Sequence, residues 1–191
     1  QLDDFAGLLS LGQTPFGNWH SLGNDEGTPL DAWCSNSGTT ASSGTGPTSG
    51  NLDPYVYLES SASGQSAPCG QGIAFSSENY LESNTIDASL YDLYFVFDYI
   101  MNGPAMSTGP ASLHVDAWNG TGWDLDVSGG AIASGDGVET WTTTSAIDLT
   151  SYNNSDFKLR IRYVMSTGGN VHENDVAVDN LHISGNFVPD T

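Results

Sequence analysis

The sequence predicts an all-β protein with the fold of an antiparallel jelly-roll β-sandwich. Glycine is abundant, and charged residues make up only 14% of the chain. No stretch has the apolar period of an amphipathic helix, whereas short alternating segments recur along the chain. Turn pairs such as Asn119-Gly120 and Gly129-Gly130 separate these segments at the rhythm of a sandwich.

The longest predicted strand covers residues 90–101. Alternate side chains of a strand point to opposite faces of its sheet. The odd positions here are all apolar or aromatic, while the even positions include Asp92 and Asp98. We therefore expect a central strand with one face on the core and the other half exposed, ended by the turn at Asn102-Gly103-Pro104.

The remaining strands are shorter, and all of them belong to one predicted domain over residues 1–191. Residues 35–51 are almost wholly Ser, Thr, Gly and Asn, and the strands around them indicate a long ordered loop rather than a linker. The other predicted strands cover residues 2–10, 16–22, 30–34, 55–59, 72–75, 85–88, 112–118, 122–127, 138–147, 157–165 and 176–184.

The charge of the chain narrows the choice of partner. The sequence has 23 acidic residues against three Lys and Arg, a net charge of −20 at pH 7. Such a surface repels other polyanions, so we expect no binding to nucleic acid or acidic lipid. Bound divalent cations, a salt-rich environment or both together would offset this charge.

Both ends of the chain indicate export from the cell. The chain opens at Gln1 without an initiator Met, as a mature protein does after signal cleavage. Residues 186–191 form a C-terminal tail, in which Val-Pro-Asp-Thr looks like the left half of a VPxT-G sorting signal. No apolar run approaches the ~20 residues of a transmembrane helix. We predict an extracellular or cell-surface protein without a membrane-spanning segment.

Several short motifs together resemble the MAM domain family. Trp33, Thr45-Gly46-Pro47 and residues 55–60 (YVYLES) follow the order of the pattern W…TGP…YxYxES. The central strand, followed by Leu113-His114-Val115, is similar to the family's FxYxMxG…LxV. Residues 175–181 (DVAVDNL) are similar to its closing DIAIDDI. The likeness spans residues 3–185, nearly the whole chain.

The resemblance implies a jelly-roll sandwich outside the cell, without catalysis of its own, that serves adhesion or self-association and often holds a structural cation. The chain departs from the family in two places. Thr48-Ser49-Gly50 stand where Asp-His normally follows the Thr-Gly-Pro. The family's four cysteines are absent, and Cys34 and Cys69 occupy other positions. Secretion favours one disulfide between these two, with two free thiols as the alternative.

Asp179 is the acid that most strongly indicates a cation site. It shares the register of Ala177, Leu181 and Ile183, so an ideal strand would turn it towards the core. A buried carboxylate needs a partner, and Ca²⁺ takes six to eight oxygen ligands. By analogy with jelly-roll relatives, Asp4, Asp31 and Asp53 are the further predicted ligands of a structural Ca²⁺. The alternative is a bulge near Asn180 that turns Asp179 to solvent.

All three basic residues of the chain, Lys158, Arg160 and Arg162, fall at alternate positions of one predicted strand. They therefore line one face of a sheet. One interpretation is a docking stripe for an acidic partner, such as a sulfated or carboxylated glycan or a neighbouring subunit. The other is a cross-strand ladder with acids such as Asp92 or Asp98.

Two of the five tryptophans are candidates for sugar stacking. Trp118 and Trp123 flank the Asn119-Gly120 turn, where we expect them to be exposed. Packing in the core or at its rim is the alternative, since aromatic side chains bury large apolar areas.

No catalytic signature stands out, because the sequence has neither a His-Glu-x-x-His nor a Gly-x-Ser-x-Gly motif. We therefore predict a protein without enzymatic activity. The first functional hypothesis is a structural and adhesive protein that binds copies of itself, head to tail, in a filament or surface matrix with bound Ca²⁺. The alternative is a carbohydrate-binding module of a secreted enzyme, with Trp118, Trp123 and the basic stripe as its polysaccharide site.

Overall fold

The chain folds into two antiparallel β-sheets packed face to face, as a computed structural model of the protein shows. The structure describes residues 17–22, 33–40, 46–47, 54–58, 78–101, 111–134, 138–165 and 175–188. All regular secondary structure in these ranges is β-strand. The predicted all-β jelly-roll sandwich is thus confirmed.

The structure describes twelve strands between residues 19 and 187. They are β1 (Trp19–Leu22), β2 (Trp33–Asn36), β3 (Tyr55–Leu58), β4 (Glu78–Ser83), β5 (Tyr91–Met101), β6 (Ser112–Trp118), β7 (Trp123–Asp124), β8 (Ala133–Ser134), β9 (Val138–Thr143), β10 (Ile147–Asp148), β11 (Leu159–Val164) and β12 (Val176–Phe187). The first sheet has the strand order β1-β4-β11-β6-β7, with β8 also paired to β6. The second has the order β10-β5-β12-β3-β2, with β9 also paired to β5.

The core lies between the inner faces of these sheets. Leu93, Phe95 and Phe97 of β5 are fully buried at the predicted odd positions, while the intervening side chains are partly exposed. Leu159 and Ile161 of β11 belong to the same apolar cluster from the first sheet. Burial of each such side chain contributes about 1.5–3 kcal/mol, so this cluster is the main source of stability.

The outer face of the second sheet carries a smaller apolar cluster. Tyr55 and Tyr57 of β3 are buried there with Ile100 and Ala177, and the partly buried Trp141 packs against them. The ring centroids of Tyr55 and Trp141 are 5.9 Å apart with an edge-on geometry. A short strand such as β3 is therefore covered on both faces, consistent with its uninterrupted apolar sequence.

Strand β4 was not predicted from the sequence. Residues 78–83 (ENYLES) are mostly polar, yet Asn79, Leu81 and Ser83 are buried on the inward side. The strand predicted at residues 85–88 is absent, and Ile86 instead forms a single bridge with Phe157. The strands predicted at residues 2–10 and 72–75 lie outside the described residues.

Gly46, in the Thr45-Gly46-Pro47 motif, lies against Thr40. A Cβ atom added at Gly46 would be 2.3 Å from Thr40 Cγ2 and 2.8 Å from Thr40 Oγ1. Thr40 is itself buried, so it has little room to move. The close approach of these two segments therefore requires a glycine.

Within the described residues, no helix has the length and apolar character needed to cross a membrane. The assignment of residues 1–191 to one domain stays a prediction.

Candidate functional site

The three basic side chains lie together on the outer face of the first sheet. Leu159, Ile161 and Tyr163 of β11 are fully buried in the core, so the alternate residues point the other way. Lys158 directly precedes β11, and Arg160 lies within it, opposite Asp116 of β6 and Glu82 of β4. The prediction that the basic residues line one face is confirmed.

Asp116 bonds to two of the three basic residues, and its side chain is fully buried. Its Oδ2 accepts hydrogen bonds from Arg160 Nε at 2.9 Å and from Arg162 Nε at 2.8 Å. Its Oδ1 accepts from Arg162 Nη2 and from the backbone N–H of Asp126, both at 3.1 Å. Burial raises the pKa of Asp116, but these hydrogen bonds outweigh it and hold the pKa below the ordinary value.

Three further acids surround the basic side chains. Glu82 Oε1 lies 2.7 Å from Lys158 Nζ. Arg162 contacts Asp126 Oδ1 at 3.1 Å through Nη2 and Glu78 Oε1 at 3.5 Å through Nη1. The cross-strand ladder is therefore formed, although not with the predicted partners.

The prediction that Asp92 or Asp98 pairs with the basic residues is wrong. Both lie in β5, which belongs to the second sheet. Glu78, Glu82 and Asp116 come from β4 and β6, the two strands that flank β11 in the first sheet. Asp126 comes from the segment after β7, which is hydrogen-bonded to β6. Strand pairing decides which acids meet the basic residues, and the local sequence does not contain that information.

The two predicted tryptophans join the basic residues on the same face. Trp118 and Trp123 are opposite each other at the β6–β7 turn, with ring centroids 5.7 Å apart at an interplanar angle of 71°. Lys158 Nζ is 5.2 Å from the centroid of each ring. Both tryptophans are partly buried, because they pack against each other and against Lys158. The alternative of packing therefore describes them better than exposure does.

Arg160 contacts an aromatic ring on either side of β11. Its Cζ is 4.1 Å from the ring centroid of Trp123 and 4.2 Å from that of Tyr80 in β4. Cation–π contacts this close hold the guanidinium and the rings in one arrangement. We refer to Tyr80, Trp118, Trp123, Lys158 and Arg160 as the aromatic–cation face.

Tyr80 and Glu82 are members of this site that sequence reasoning missed. Both lie at even positions of β4, the strand that the sequence did not predict. Burial raises the pKa of Tyr80 to about 12, and Glu78, which accepts a 2.5 Å hydrogen bond from the tyrosine hydroxyl, adds to the shift. The alternation of Asn79, Leu81 and Ser83 was the signal available in the sequence, but only one of these three residues is apolar.

Asp179 does not face the core. The pairing of β12 with β5 shifts register between Asp179 and His182, and Asn180 has a positive φ of 50°. This bulge lets Val178 before it and Leu181 after it both enter the core, and it leaves Asp179 partly exposed. The predicted orientation is wrong, and the alternative of a bulge is confirmed.

Asp179 lies opposite Asp98 of β5 across the two strands. Asn180 lies beside both carboxylates: its backbone N–H donates to Asp179 Oδ1 at 2.7 Å and its Nδ2 donates to Asp98 Oδ2 at 2.8 Å. The described residues contain no group of three or more acidic, His or Cys side chains placed to hold a metal ion. Asp4, Asp31 and Asp53 lie outside those residues, so the Ca²⁺ site stays a prediction.

The predicted disulfide is likewise untested. The backbone of Cys34 lies in β2, and Cys69 lies outside the described residues.

The aromatic–cation face provides ring surfaces beside charged hydrogen-bonding groups. These groups are held in place by each other, since Arg160 is 6% exposed and Lys158 is bonded to Glu82. Such a surface is suited to reversible recognition of a ligand that combines apolar and hydroxyl-bearing faces.

Known proteins resemble this chain in fold but not in sequence. No protein-family model matches the chain, and no curated protein matches it significantly. The MAM resemblance therefore stays a prediction.

Solved structures cover nearly the whole chain at low identity. TmCBM61 in complex with β-1,4-galactotriose is 12% identical, with a TM-score of 0.50 over 94% of this chain and 92% of its own. The K1 cleaved adhesin domain of Lys-gingipain from Porphyromonas gingivalis W83 is 17% identical, with a TM-score of 0.53 over 94% and 96%. A Stig cyclase from Fischerella sp. TAU is 14% identical over 96% of each chain, but its TM-score of 0.47 supports no argument. At these identities the likeness establishes a shared β-sandwich fold alone.

Proposed function

We propose that this protein is a non-catalytic, extracellular domain that binds polysaccharide through its aromatic–cation face and so mediates adhesion. The observation that carries the proposal is the arrangement of Trp118 and Trp123 around Lys158, beside Arg160 and Tyr80, on one sheet face.

The chemistry of a sugar ring matches what this face provides. A pyranose has apolar C–H faces that pack on aromatic rings, and hydroxyl groups at its edge that need both donors and acceptors. Trp118 and Trp123 supply the rings. Lys158 and Glu82 supply a donor and an acceptor beside them. Because the ion pairs already fix these side chains, little conformational entropy is lost when a ligand binds.

The structural neighbours are consistent with this proposal. One of them is a carbohydrate-binding module solved with a bound galactotriose, and another is an adhesin domain. The extracellular setting in this proposal comes from the MAM-like motifs.

Replacement of the face's tryptophans tests the proposal. Trp118→Ala and Trp123→Ala should each weaken binding to a polysaccharide-coated surface by about tenfold or more, equivalent to roughly 1.4 kcal/mol. Trp141→Ala is the matched control, because Trp141 is a partly buried tryptophan on the outer face of the other sheet. Affinity electrophoresis in gels that contain polysaccharide measures the effect. Equal losses in all three variants would contradict a role for this face.

Self-association is a second proposal, and it concerns the end strands of the two sheets. Among the described strands, β1 pairs with β4 alone and β2 with β3 alone, so these two strands lie at an edge of the described part of each sheet. A strand from a second copy can add to such an edge, and a repeated head-to-tail contact grows into a filament. The MAM-like motifs agree with this second role.

Size-exclusion chromatography of the native protein, with and without a chelator of Ca²⁺, tests self-association. Large assemblies that break down to monomers with chelator would support a filament held together with Ca²⁺. A monomer under both conditions, retained on a polysaccharide column, would leave the carbohydrate-binding proposal alone.

A further inference from the structure

We infer that the aromatic–cation face takes an uncharged glycan and rejects carboxylated and sulfated ones. This inference rests on the proposed function and specifies its ligand class. It reverses one of the two interpretations of the sequence, in which the three basic residues form a docking stripe for an acidic partner.

The charge around the basic side chains is already balanced. Lys158 pairs with Glu82, Arg160 with Asp116, and Arg162 with Asp116, Glu78 and Asp126. Four carboxylates thus contact three cations, and Asp124 lies next to Trp123 in β7. The surface that a ligand meets is not positively charged despite its lysine and arginines.

The arginines cannot be released to bind an anion. Arg160 and Arg162 are each 6% exposed, and both donate to the same buried carboxylate of Asp116. An anionic ligand that drew them away would leave Asp116 buried and unpaired, which is strongly unfavourable. Their role is therefore to support the rings and the neighbouring groups.

Lys158 is the basic group with spare hydrogen-bonding capacity. Its side chain is 29% exposed, and an ammonium group has three donors, of which one is directed at Glu82 Oε1. The Lys158 ammonium, already paired with one carboxylate, offers a directional donor for a hydroxyl group. It does not offset the repulsion between a polyanion and the nearby carboxylates.

The rest of the molecule adds to that repulsion. These three residues are all the Lys and Arg in a chain with net charge −20. A polyanion approaching the face therefore also meets the negative field of the surrounding surface, which salt screens over a distance of about 8–10 Å. An uncharged polymer experiences none of this repulsion.

Paired polymers that differ only in charge test the inference. We would measure binding of the full chain to neutral β-linked galactan, glucan and xylan, and to each of the same polymers after carboxylation, by affinity electrophoresis. We expect at least one neutral polymer to bind about tenfold more tightly than its carboxylated form. That affinity should change less than about twofold between roughly 50 and 500 mM NaCl.

The outcomes separate the inference from the proposed function. Tighter binding of the carboxylated polymers, weakening steeply with salt, would overturn the inference and leave polysaccharide binding intact. If no polymer binds in either its neutral or its carboxylated form, both the inference and the proposed polysaccharide binding are overturned.

A charge variant tests the cause. Glu82→Gln keeps an acceptor beside Lys158 but removes one negative charge, so binding to carboxylated polymers should rise several-fold. Asp92→Asn makes the same change of net charge in the second sheet and should have little effect. An equal gain in both variants would show that overall charge, and not the composition of the face, excludes the anionic ligand.

Discussion

Arg162 and Asp116 form a two-point ion pair across adjacent strands at the centre of the first sheet. Nε of Arg162 lies 2.8 Å from Oδ2 of Asp116, and Nη2 lies 3.1 Å from Oδ1. Side-on pairing of this kind matches the planar guanidinium to the planar carboxylate and fixes both. Asp116 also receives Arg160, so one buried acid positions two of the three basic residues.

Asp116→Asn should destabilise the protein more than any other acid-to-amide change on this face. The neutral amide leaves two buried guanidinium groups without their main partner, and loss of one partner of a buried pair costs about 3–5 kcal/mol. Chemical denaturation followed by tryptophan fluorescence measures the loss. Asp156→Asn, at an exposed site, is the control and should change the free energy of unfolding by less than about 0.5 kcal/mol. A loss as small as the control's would mean that the pair contributes little.

The stability that Asp116 contributes to the fold should be lost in acid. Because the pKa of Asp116 is lowered in the folded state, the ionised form stabilises the fold at pH values above the unfolded pKa of about 3.9. That stabilisation is lost as the pH falls below this value and through the folded pKa. The difference in unfolding free energy between the native chain and Asp116→Asn should therefore be constant above about pH 5 and shrink below about pH 4. A difference that is independent of pH would contradict this.

The free energy of unfolding should fall in alkali as Tyr80 ionises. The pKa of Tyr80 is raised to about 12 by burial and by Glu78, so the folded state holds the phenol proton more tightly than the unfolded state does. The resulting stability is complete below the unfolded pKa of about 10 and is lost as the pH rises towards 12. Tyr80→Phe should lose less stability than the native chain over that interval. Absorbance of the tyrosinate anion during titration gives the pKa directly, and a Tyr80 that titrated at the ordinary value would refute the prediction.

Gly46→Ala should lower the thermal unfolding midpoint, because its Cβ would be 2.3 Å from Thr40 Cγ2. Overpacking of a tight site costs about 1–3 kcal/mol. Gly122→Ala is the matched control, since a Cβ there has no neighbour within 4 Å. Differential scanning calorimetry of both variants measures the effect, and similar midpoints would show that Thr40 moves aside easily.

The predicted Ca²⁺ site has a test at Asp179. If Asp179 is a ligand, Asp179→Ala and chelation should lower the melting temperature by similar amounts, and the two losses should not add. Additive losses would place the cation elsewhere.

Strands in which apolar and polar residues clearly alternate were predictable from the sequence, and strands without that alternation were not. The 11 residues of β5 alternate so consistently that its inner face was assigned residue by residue. In β4 the buried positions include Asn79 and Ser83, and no local pattern distinguishes such residues from a polar loop. The bulge at Asn180 shifts the alternation of β12 by one residue, which a strict period of two misses.

The composition of the candidate site was predicted better than its chemistry. Periodicity placed Lys158, Arg160 and Arg162 on one face, and the turn brought Trp118 next to Trp123. The acids that neutralise the face come from strands distant in sequence: Glu82 and Lys158 are 76 positions apart and are brought together by the pairing of β4 with β11. A stripe that looked positively charged in isolation is therefore neutralised in the folded protein.

The confinement of every Lys and Arg to β11 and the residue before it has a consequence for proteolysis. Trypsin cleaves after these residue types, so its three target bonds all lie in a segment paired on both sides, by β4 and by β6. The folded protein should resist the protease until that segment opens, and even a single cut would then divide a central strand. The rate of tryptic cleavage becomes a direct measure of how often the middle of the first sheet comes apart.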